Sequence, residues 1–361
     1  GAIGAGTAAA SLTSVNITTS GNALTGTTVV DADDIDAGAG TIATFTVNLA
    51  GDYGTSDIDR VTAKDIDAIT ITTDANGTSL AIEDFLLSGS AGDVSITAGA
   101  AFDGLTNFID TSATGAVGNV SISSRGATTI ADAANEVFIN DALTVGNISL
   151  VVTAAAGSIN IGEIEEATTI GNLDITGTGN VTFAGAPAAT SIGNITASVA
   201  SGKTVDLNDG SFGAATGVMG TTTVTGAGAF TLAVGAVTTL GNIDLTGMTS
   251  TSSSNIALSN TTAIGVVYSG GAGADTFAGT GGADVITAGE GIDVIDSQGG
   301  ADTISLTETT AAVDTVSFTV PGALNETANA DVISGFATTS DNLSFDGITI
   351  TGGGAIAAVA G

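Results

Sequence analysis

The sequence contains no cysteine, no histidine and no tryptophan. Without histidine the chain cannot build an H-E-x-x-H zinc site or a Ser-His-Asp triad, so metalloproteases and serine hydrolases of these kinds are excluded. Without cysteine it forms no disulfide, and cysteine pairing therefore says nothing about the redox compartment. Every apolar run is shorter than the roughly 18 residues that a membrane-spanning helix needs, so we expect no transmembrane segment.

Basic side chains are also scarce. Arg60, Lys64, Arg125 and Lys203 are the only four in 361 residues, against 37 acidic ones, and the formal net charge is −33. Such a charge repels phosphate backbones, which excludes a nucleic-acid partner, and it repels bare anionic lipid unless divalent cations bridge the two. Because self-repulsion loosens a fold in salt-poor water, we expect cations to be part of the structure.

The chain opens with GAIGAGTAAASLTSV, which has neither a basic start nor an initiator Met. These residues do not form an N-terminal signal peptide. We therefore expect the chain to begin inside a longer precursor, with any export signal outside this chain or at the C-terminus.

Short runs of alternating apolar and polar residues, closed by Gly, Asn or Asp, recur along the chain. Alternation with a period of two predicts strands, and the predicted fold class is therefore all-β. Two segments have a pattern that would suit a short helix, namely AIEDFLLSG around Glu83 and TIADAANEVFIN around Asn135.

A Gly-Asn pair between apolar residues recurs in the middle of the chain, with its glycine at positions 118, 146, 171, 193 and 241. The segment MGTTTVT at Met219 is a weaker copy in the longest gap. One corner followed by one alternating strand suits a rung of a parallel β-solenoid (β-helix), although a sandwich with Gly-Asn hairpin turns is the alternative. The recurring flanks favour a β-solenoid over residues 113–268, preceded by an irregular β-rich domain (1–112) with a boundary near residues 112–118.

A stricter repeat occupies residues 269–306, where aspartates stand nine residues apart at 275, 284, 293 and 302. The blocks are GGAGADTFA, GTGGADVIT, AGEGIDVID and SQGGADTIS, with a bulky apolar residue two positions after each aspartate. Thr280 and Gln298 depart from glycine at the second position, and Ala288 and Ser297 depart from it at the first. A flexible Gly/Asp-rich linker is the alternative, which four in-phase apolar partners disfavour.

These blocks resemble the G-G-x-G-x-D-x-U-x nonapeptide of the RTX (repeat-in-toxin) family of secreted bacterial proteins, which binds Ca²⁺ in a β-roll. The resemblance implies one roll turn per two blocks, so that Asp275 lies beside Asp293 and Asp284 beside Asp302. Two carboxylates about 4 Å apart repel by about 4 kcal/mol at an effective dielectric constant of about 20, and a bound Ca²⁺ reverses that sign. The expected ligands are these four aspartates with Gly271, Gly273, Gly282, Gly289, Gly291 and Gly300.

Residues 307–361 are expected to hold degenerate repeats and a C-terminal β cap. The segments DTVSF, ADVISGF and SDNLSFDG are similar to the part that closes RTX regions of type I-secreted proteins, and they add Asp314, Asp331 and Asp341 as candidate ligands. Near the start of the chain, Asp31, Asp33 and Asp36 form a further candidate Ca²⁺ site or a solvated loop. A second acidic group, between residues 57 and 67, includes Arg60 and Lys64 as partners for its charges.

In composition the chain is similar to the type I-secreted S-layer proteins of Gram-negative bacteria. That likeness implies a structural, extracellular protein at the cell surface, which self-assembles into a two-dimensional homo-oligomeric lattice with calcium and is held on an envelope glycolipid by a region outside this chain. An RTX adhesin or an extracellular filament or matrix protein is the alternative. We predict no enzymatic activity: Glu163, Glu165 and Glu166 are the one carboxylate group that would suit a glycosidase, and we interpret them instead as a solvated acidic edge.

Overall fold

The structure is a computed structural model that describes residues 3–4, 12–19, 31–32, 34–51, 53–104, 108–130, 137–183, 185, 189–212, 217–258, 264–318 and 330–345. Within these ranges the chain forms strands and no helix, so none of the described segments is a helix capable of crossing a membrane. Every strand pairing among the described residues is parallel, and most strands pair with strands one turn earlier and one turn later. The fold is a parallel β-solenoid, as the sequence predicted, and not a sandwich.

The strands follow one another around the solenoid in chain order. They are β1 Ile3–Gly4, β2 Ser14–Thr19, β3 Asp31–Ala32, β4 Ile35–Asp36, β5 Thr41–Ile42, β6 Thr44–Leu49, β7 Thr55–Ala63, β8 Asp65–Thr73, β9 Ser79–Leu87, β10 Ala91–Ala98, β11 Ala101–Gly104, β12 Ile109–Val117, β13 Val120–Ser124, β14 Ala127–Ile130, β15 Val137–Val145, β16 Ile148–Val152, β17 Ser158–Ile161, β18 Glu163–Ile164, β19 Thr169–Ile170, β20 Leu173–Gly177, β21 Asn180–Phe183, β22 Ser191–Ile192, β23 Ile195–Val199, β24 Thr204–Phe212, β25 Gly217–Met219, β26 Thr222–Gly226, β27 Ala229–Val234, β28 Val237–Leu240, β29 Ile243–Met248, β30 Ser253–Leu258, β31 Val267–Ser269, β32 Ala274–Ala278, β33 Val285–Thr287, β34 Val294–Asp296, β35 Thr303–Ser305, β36 Thr315–Phe318, β37 Val332–Ser334 and β38 Asn342–Phe345.

The core is a set of columns in which each inward residue lies on its equivalent one turn away. In one column Val120 is in register with Ile148, Ile148 with Leu173, and Leu173 with Ile195. All four side chains are buried, while the residues next to them along each strand point outward. The period-two alternation of the sequence is therefore the alternation between core and surface, and each buried aliphatic side chain contributes about 1.5–3 kcal/mol.

The first hundred residues belong to the same stack. Strand β10 pairs with β8 on one side and with β13 on the other, and β9 pairs with both β7 and β12. Aromatic rings fill this part of the core, where Phe85 makes edge contacts with Phe45 at 5.1 Å and Phe108 at 5.5 Å between ring centroids. Strand pairing thus runs without interruption across residues 112–118, and the division into domains there stays a prediction about the sequence alone.

The expected helix around Glu83 is wrong. This segment lies in β9, which pairs along its length with β7, and Leu80, Ile82 and Phe85 are buried. Parallel strands on both sides satisfy the backbone hydrogen bonds of β9, so tertiary context overrides the local preference for a helix. In the second segment, residues 131–136 lie outside the described residues, and residues 137–140 belong to strand β15.

The Gly-Asn pairs form the corners that the sequence analysis assigned to them. At four of these corners the side-chain oxygen of the asparagine accepts a hydrogen bond from the backbone N–H at the same corner one turn later. These bonds run from Asn147 N to Asn119 Oδ1 (3.0 Å), from Asn172 N to Asn147 Oδ1 (2.9 Å), from Asn194 N to Asn172 Oδ1 (2.9 Å) and from Thr221 N to Asn194 Oδ1 (3.0 Å). We call this column the asparagine ladder.

The glycine of each corner is required by the closeness of the stack. A Cβ on Gly193 would lie 2.8 Å from the carbonyl carbon of Gly171 and 2.6 Å from Asn172 Oδ1. Both distances are shorter than van der Waals contact, and the first involves backbone. Corners of adjacent turns therefore approach closely enough for the ladder bonds to form.

We predict that Asn172→Ala destabilises the solenoid by about 1 kcal/mol, because the N–H of Asn194 loses its acceptor. Chemical unfolding in saturating calcium measures the change. Asn255→Ala is the matched control, since Asn255 points outward from β30 and is exposed. Equal stabilities of the two variants would show that the ladder contributes nothing.

Candidate metal centre

The final turns of the chain form a narrow roll that stacks directly on the solenoid, since β31 pairs with β29 and β32 with β30. Within the roll, β33 pairs with β31 and β35 with β33, a step of 18 residues. The apolar residue two positions after each repeat aspartate (Phe277, Ile286, Ile295 and Ile304) is buried. Each nine-residue block thus supplies one loop and one very short strand, and two blocks complete a turn.

The aspartates stack at the two edges of the roll. At each step, the backbone N–H of one aspartate donates to a carboxylate oxygen (Oδ1) of the aspartate one turn later. The first ladder consists of Asp275 to Asp293 (2.9 Å), Asp293 to Asp314 (3.0 Å) and Asp314 to Asp341 (3.2 Å). The second ladder consists of Asp284 to Asp302 (2.8 Å) and Asp302 to Asp331 (2.9 Å). The structure therefore brings together both expected pairs, and it adds the three later aspartates to the same columns.

The ladder carboxylates are removed from solvent and incompletely paired. Asp275, Asp284, Asp293, Asp302 and Asp314 are all at most 1% exposed. Five of the buried carboxylate oxygens have no hydrogen-bond partner among the described residues, namely Oδ1 of Asp275 and Oδ2 of Asp293, Asp302, Asp314 and Asp331. A buried carboxylate oxygen without a donor is costly, so each of these atoms calls for a proton or a cation.

Burial raises the pKa of these groups above the ordinary aspartate value of 3.8. The pKa of Asp293 is raised to about 8, first by burial and then by the neighbouring charges of Asp275, Asp314 and Glu308, against which the Asp275 N–H acts. Burial raises the pKa of Asp284 to about 6, with a smaller contribution from Asp302. The pKa of Asp302 is likewise raised to about 6 by burial. Without a metal, these side chains hold protons that free aspartates release.

The loops before the aspartates have two conformations. In the third and fourth blocks, positions two and four have positive φ, at Gly289 (+107°), Gly291 (+113°), Gln298 (+70°) and Gly300 (+129°). The aspartates that follow these loops, Asp293 and Asp302, have the free Oδ2 atoms. In the first and second blocks the loop instead folds back on its own aspartate: Gly271 N donates to Asp275 (2.6 Å) and Thr280 N to Asp284 (2.9 Å).

Two of the non-glycine departures therefore have different consequences. Gln298 adopts a left-handed φ that costs an L-residue about 1–2 kcal/mol. Thr280 avoids that conformation, and its hydroxyl donates to Asp284 Oδ1 at 2.8 Å. Of these two positions, the backbone strain therefore lies at Gln298.

The expected glycines place backbone carbonyls between the stacked loops. A Cβ on Gly289 would lie 2.1 Å from the carbonyl oxygen of Gly271, and one on Gly300 would lie 2.2 Å from that of Gly282. The same relation holds between Gly291 and the carbonyl oxygen of Gly273, at 2.5 Å. Oxygens of one loop thus face the backbone of the next, beside the carboxylates.

Sequence reasoning missed two residues at this edge. Glu290 accepts hydrogen bonds from Thr309 N (2.7 Å) and Thr310 N (3.0 Å), and these bonds lower its pKa. Glu308, in the later loop, in turn accepts a hydrogen bond from Gly291 N of the earlier loop (3.2 Å). It also accepts one from Ala312 N within its own loop (2.7 Å). The two glutamates stand 18 residues apart, the roll period, and that spacing is the signal that could have revealed them.

The structure describes the acidic residues near the start of the chain only in part. Asp36 is exposed, and its carboxylate accepts a hydrogen bond from Gly38 N at 2.7 Å, while Asp31 is in register with Asp57 of β7. Asp33 lies outside the described residues. A Ca²⁺ site at Asp31, Asp33 and Asp36 stays a prediction.

The ladders fit calcium better than a transition metal. Across the described part of the chain, no three or more His, Cys, Asp or Glu side chains are grouped to hold a metal by themselves. Calcium, however, takes six to eight oxygens and accepts backbone carbonyls alongside carboxylates. Paired aspartates, free buried oxygens and inter-loop carbonyls supply that type of donor, so Asp275, Asp284, Asp293 and Asp302 would hold Ca²⁺ with the loop glycines.

We predict that Gln298→Gly raises the free energy of unfolding by up to about 1 kcal/mol, because it removes the left-handed strain. Thr280→Gly, the same position of another block, should lower it, since the hydroxyl bond to Asp284 is lost. Denaturant titrations in saturating calcium compare the two variants. A stability loss in both would contradict the assignment of strain.

We predict that the metal-free roll gains order as the pH falls from 8 towards 5. The folded pKa values of Asp284, Asp293 and Asp302 lie above the unfolded value, so the folded state binds more protons. Their stabilising contribution is full near pH 4 and is lost as the pH rises through about 6 to 8. Circular dichroism in chelator and high salt, which screens the general surface repulsion, measures the effect; unchanged order over this range would contradict it.

A comparison with protein-family models identifies this roll. Residues 269–304 match the model of the RTX calcium-binding nonapeptide repeat in four copies. Comparisons of the chain with curated proteins and with solved structures found no match. The four blocks are therefore RTX calcium-binding repeats, and proteins that carry such repeats are typically secreted.

Proposed function

We propose that the protein is a structural component of the cell surface that leaves the cell by a type I route, folds in extracellular calcium and self-assembles into an S-layer lattice. The observation that carries the proposal is the pair of buried aspartate ladders with free carboxylate oxygens. They make the ordered state of the roll depend on a cation that is scarce inside cells and abundant outside them.

Calcium supplies the switch between the two compartments. Extracellular calcium sites commonly have dissociation constants of about 10⁻⁴–10⁻³ M, far above the calcium concentration of a cytoplasm. At low calcium the ladder carboxylates repel one another, and the roll stays unfolded. Outside the cell, binding to the folded state alone stabilises that state.

The rest of the molecule supports a structural role. A continuous parallel stack runs from β2 to β38, and its outward positions are largely Thr, Ser and Asp. A net charge of −33 keeps such molecules apart in the absence of divalent cations and allows cations to join them when present. Compositional likeness to S-layer proteins favours a sheet, whereas an adhesin or filament would use the same stack as a stalk. A glycolipid anchor outside this chain belongs to the same proposal.

Proteins built from such rolls are typically structural or toxin-like. The three glutamates considered for glycosidase chemistry lie in β18 and directly after it, where Glu163 is half-buried and Glu166 is exposed. The pKa of Glu166 is raised by contact with Asp141, and that of Glu163 by burial. This arrangement suits a surface acidic edge, and we propose no catalytic role for it.

We predict that Asp284→Ala with Asp302→Ala abolishes the calcium-dependent ordering of the roll. The second ladder then loses the carboxylates of both repeat turns. Hydrogen exchange in millimolar calcium should show fast exchange over residues 285–305 and retained protection over residues 195–248.

The control is Asp67→Ala with Asp244→Ala, which removes the same charge from two exposed positions of the solenoid. It should order in calcium as the wild type does. Protection of residues 285–305 in the Asp284/Asp302 variant, equal to that of the control, would contradict the role of the ladder.

We predict that the purified chain forms regular sheets in millimolar calcium and that a chelator disperses them. Negative-stain electron microscopy reports both states, and magnesium at the same concentration controls for general charge screening. Isolated fibres would favour the adhesin or filament alternative. Sheets that persist in chelator would contradict calcium-dependent assembly.

A further inference from the structure

Large apolar side chains are exposed mainly in the roll. Six of the nine such side chains among the described residues lie between positions 267 and 332, whereas Leu86, Leu143 and Val218 stand singly in the solenoid. Single apolar residues are ordinary on a protein surface, but a contiguous group of them marks a contact surface. The roll therefore carries the best candidate for an interface.

One side of the roll is formed by β31, β33, β35 and β37. Their outward residues stack in register, with Val267 on Val285, Val285 on Thr303 and Thr303 on Val332. The three valines are 42%, 48% and 58% exposed. A second outward column, made of Ser and Thr, runs beside this one, two residues later along each strand. We call the surface formed by these two columns the valine face.

The valine face carries no charge. None of its four strands contains an acidic or basic residue. The aspartates that precede three of the strands, Asp284, Asp302 and Asp331, belong to the second ladder. On the other side of the roll, by contrast, β34 includes Asp296. The formal net charge of the chain is −33 and no basic residue follows Lys203, so a neutral surface is unusual for this molecule.

This charge distribution favours one partner. A basic partner would be attracted to the acidic surfaces of the chain and not to a neutral one. A second copy of the chain is repelled at its acidic surfaces, but it meets no like charge when two valine faces approach each other. Such a contact is isologous, since the same patch is used on both copies, which are related by a two-fold axis.

The size of the valine face limits what the contact can do alone. Four strands about 4.8 Å apart, each three residues long at about 3.3 Å per residue, cover roughly 200 Å². A stable complex buries about 800 Å² on each partner. The contact is therefore too small to hold two free copies together, and it acts where several contacts combine, as they do in a lattice.

We propose that the valine face joins copies of this chain in pairs within their assembly. The inference rests on the proposed function, because it names a surface through which the subunits of that lattice meet. It also assigns calcium an indirect part in this contact. Bound ions order the strands of the roll and so create the face, while the contact itself is apolar and uncharged.

The variant Val285→Thr with Val332→Thr tests the contact. Threonine keeps the β-branched shape that suits a strand and replaces one methyl group by a hydroxyl at each position. We expect the protein concentration needed for assembly in millimolar calcium to rise at least about tenfold, because each copy loses two methyl groups from the contact. Light scattering and negative-stain electron microscopy measure that concentration.

The matched control is Val294→Thr with Val313→Thr. These valines also belong to the roll and are similarly exposed, at 41% and 43%, but they lie outside the valine face. The control should assemble as the wild type does, and circular dichroism in calcium confirms that both variants are ordered. An unchanged assembly concentration in the valine-face variant would overturn the inference and leave the proposed lattice in place. An equal rise in both variants would also overturn it.

Cross-linking tests the same contact without relying on the form of the assembly. The chain has no cysteine, so a single introduced thiol is a specific probe. At assembling concentrations in calcium, a short bismaleimide should link Val285→Cys into dimers and should link Val294→Cys far less. Absence of dimers from Val285→Cys would overturn the inference. Slow reaction of Val285→Cys with a monofunctional maleimide in dilute solution would overturn it too, because another segment of the chain would then cover the face.

The two experiments separate this inference from the proposed function. Linked dimers of Val285→Cys in the absence of sheets would support the contact and contradict the lattice. Sheets without linked dimers would support the lattice and contradict the contact. A chain that forms neither dimers nor assemblies in calcium would contradict both.

Discussion

Parallel stacking places every residue of a turn on its equivalents in the neighbouring turns. Stacking stabilises aliphatic residues, because Ile148 packs on Leu173 and Leu173 packs on Ile195. Asparagine also gains, because its neutral side chain accepts one backbone N–H from the next turn. Aspartate makes the same backbone bond but brings a charge to each step. Parallel stacking therefore gives a neutral asparagine ladder in the solenoid and charged aspartate ladders in the roll, with the same type of backbone hydrogen bond in each.

The difference between the ladders decides where the molecule needs cations. The asparagine ladder lies on exposed corners and is complete once its amide oxygens are bonded. The aspartate ladders are largely buried, and oxygens without a hydrogen-bond partner among the described residues remain on Asp275, Asp293, Asp302, Asp314 and Asp331. Protons satisfy them at low pH, as the raised pKa values of Asp284, Asp293 and Asp302 show, and calcium is the matching partner at neutral pH. The buried aspartate ladders with free oxygens are thus a feature of the roll, whereas in the solenoid the buried Asp84 is paired with Arg60.

The sequence predicted the features that follow from a strict period. The all-β class, the solenoid and the pairing of Asp275 with Asp293 all come from spacing, because a fixed step along the chain becomes a fixed position in a parallel stack. Features that depend on loop conformation could not be predicted from this spacing. Glu290 and Glu308 function as reciprocal acceptors between two loops of unequal length, and the helical pattern around Glu83 was overridden by strands on both sides. Whether Thr280 or Gln298 carries backbone strain depends equally on how the loop folds against its own aspartate.

The roll also has a thinner core than the solenoid, which favours the proposal that bound cations stabilise it. The turn from 148 to 172 buries eight apolar residues in 25, whereas the turn from 277 to 294 buries three in 18. The first set comprises Ile148, Leu150, Val152, Ile159, Ile161, Ile164, Ala167 and Ile170, and the second comprises Phe277, Ile286 and Ala288. Ordering each residue costs about 1–2 kcal/mol of backbone entropy in either turn. A roll turn has about half the fraction of buried apolar residues, so hydrophobic burial offsets less of this entropy cost. On the proposed function, ions bound between the loops supply the remaining stabilisation.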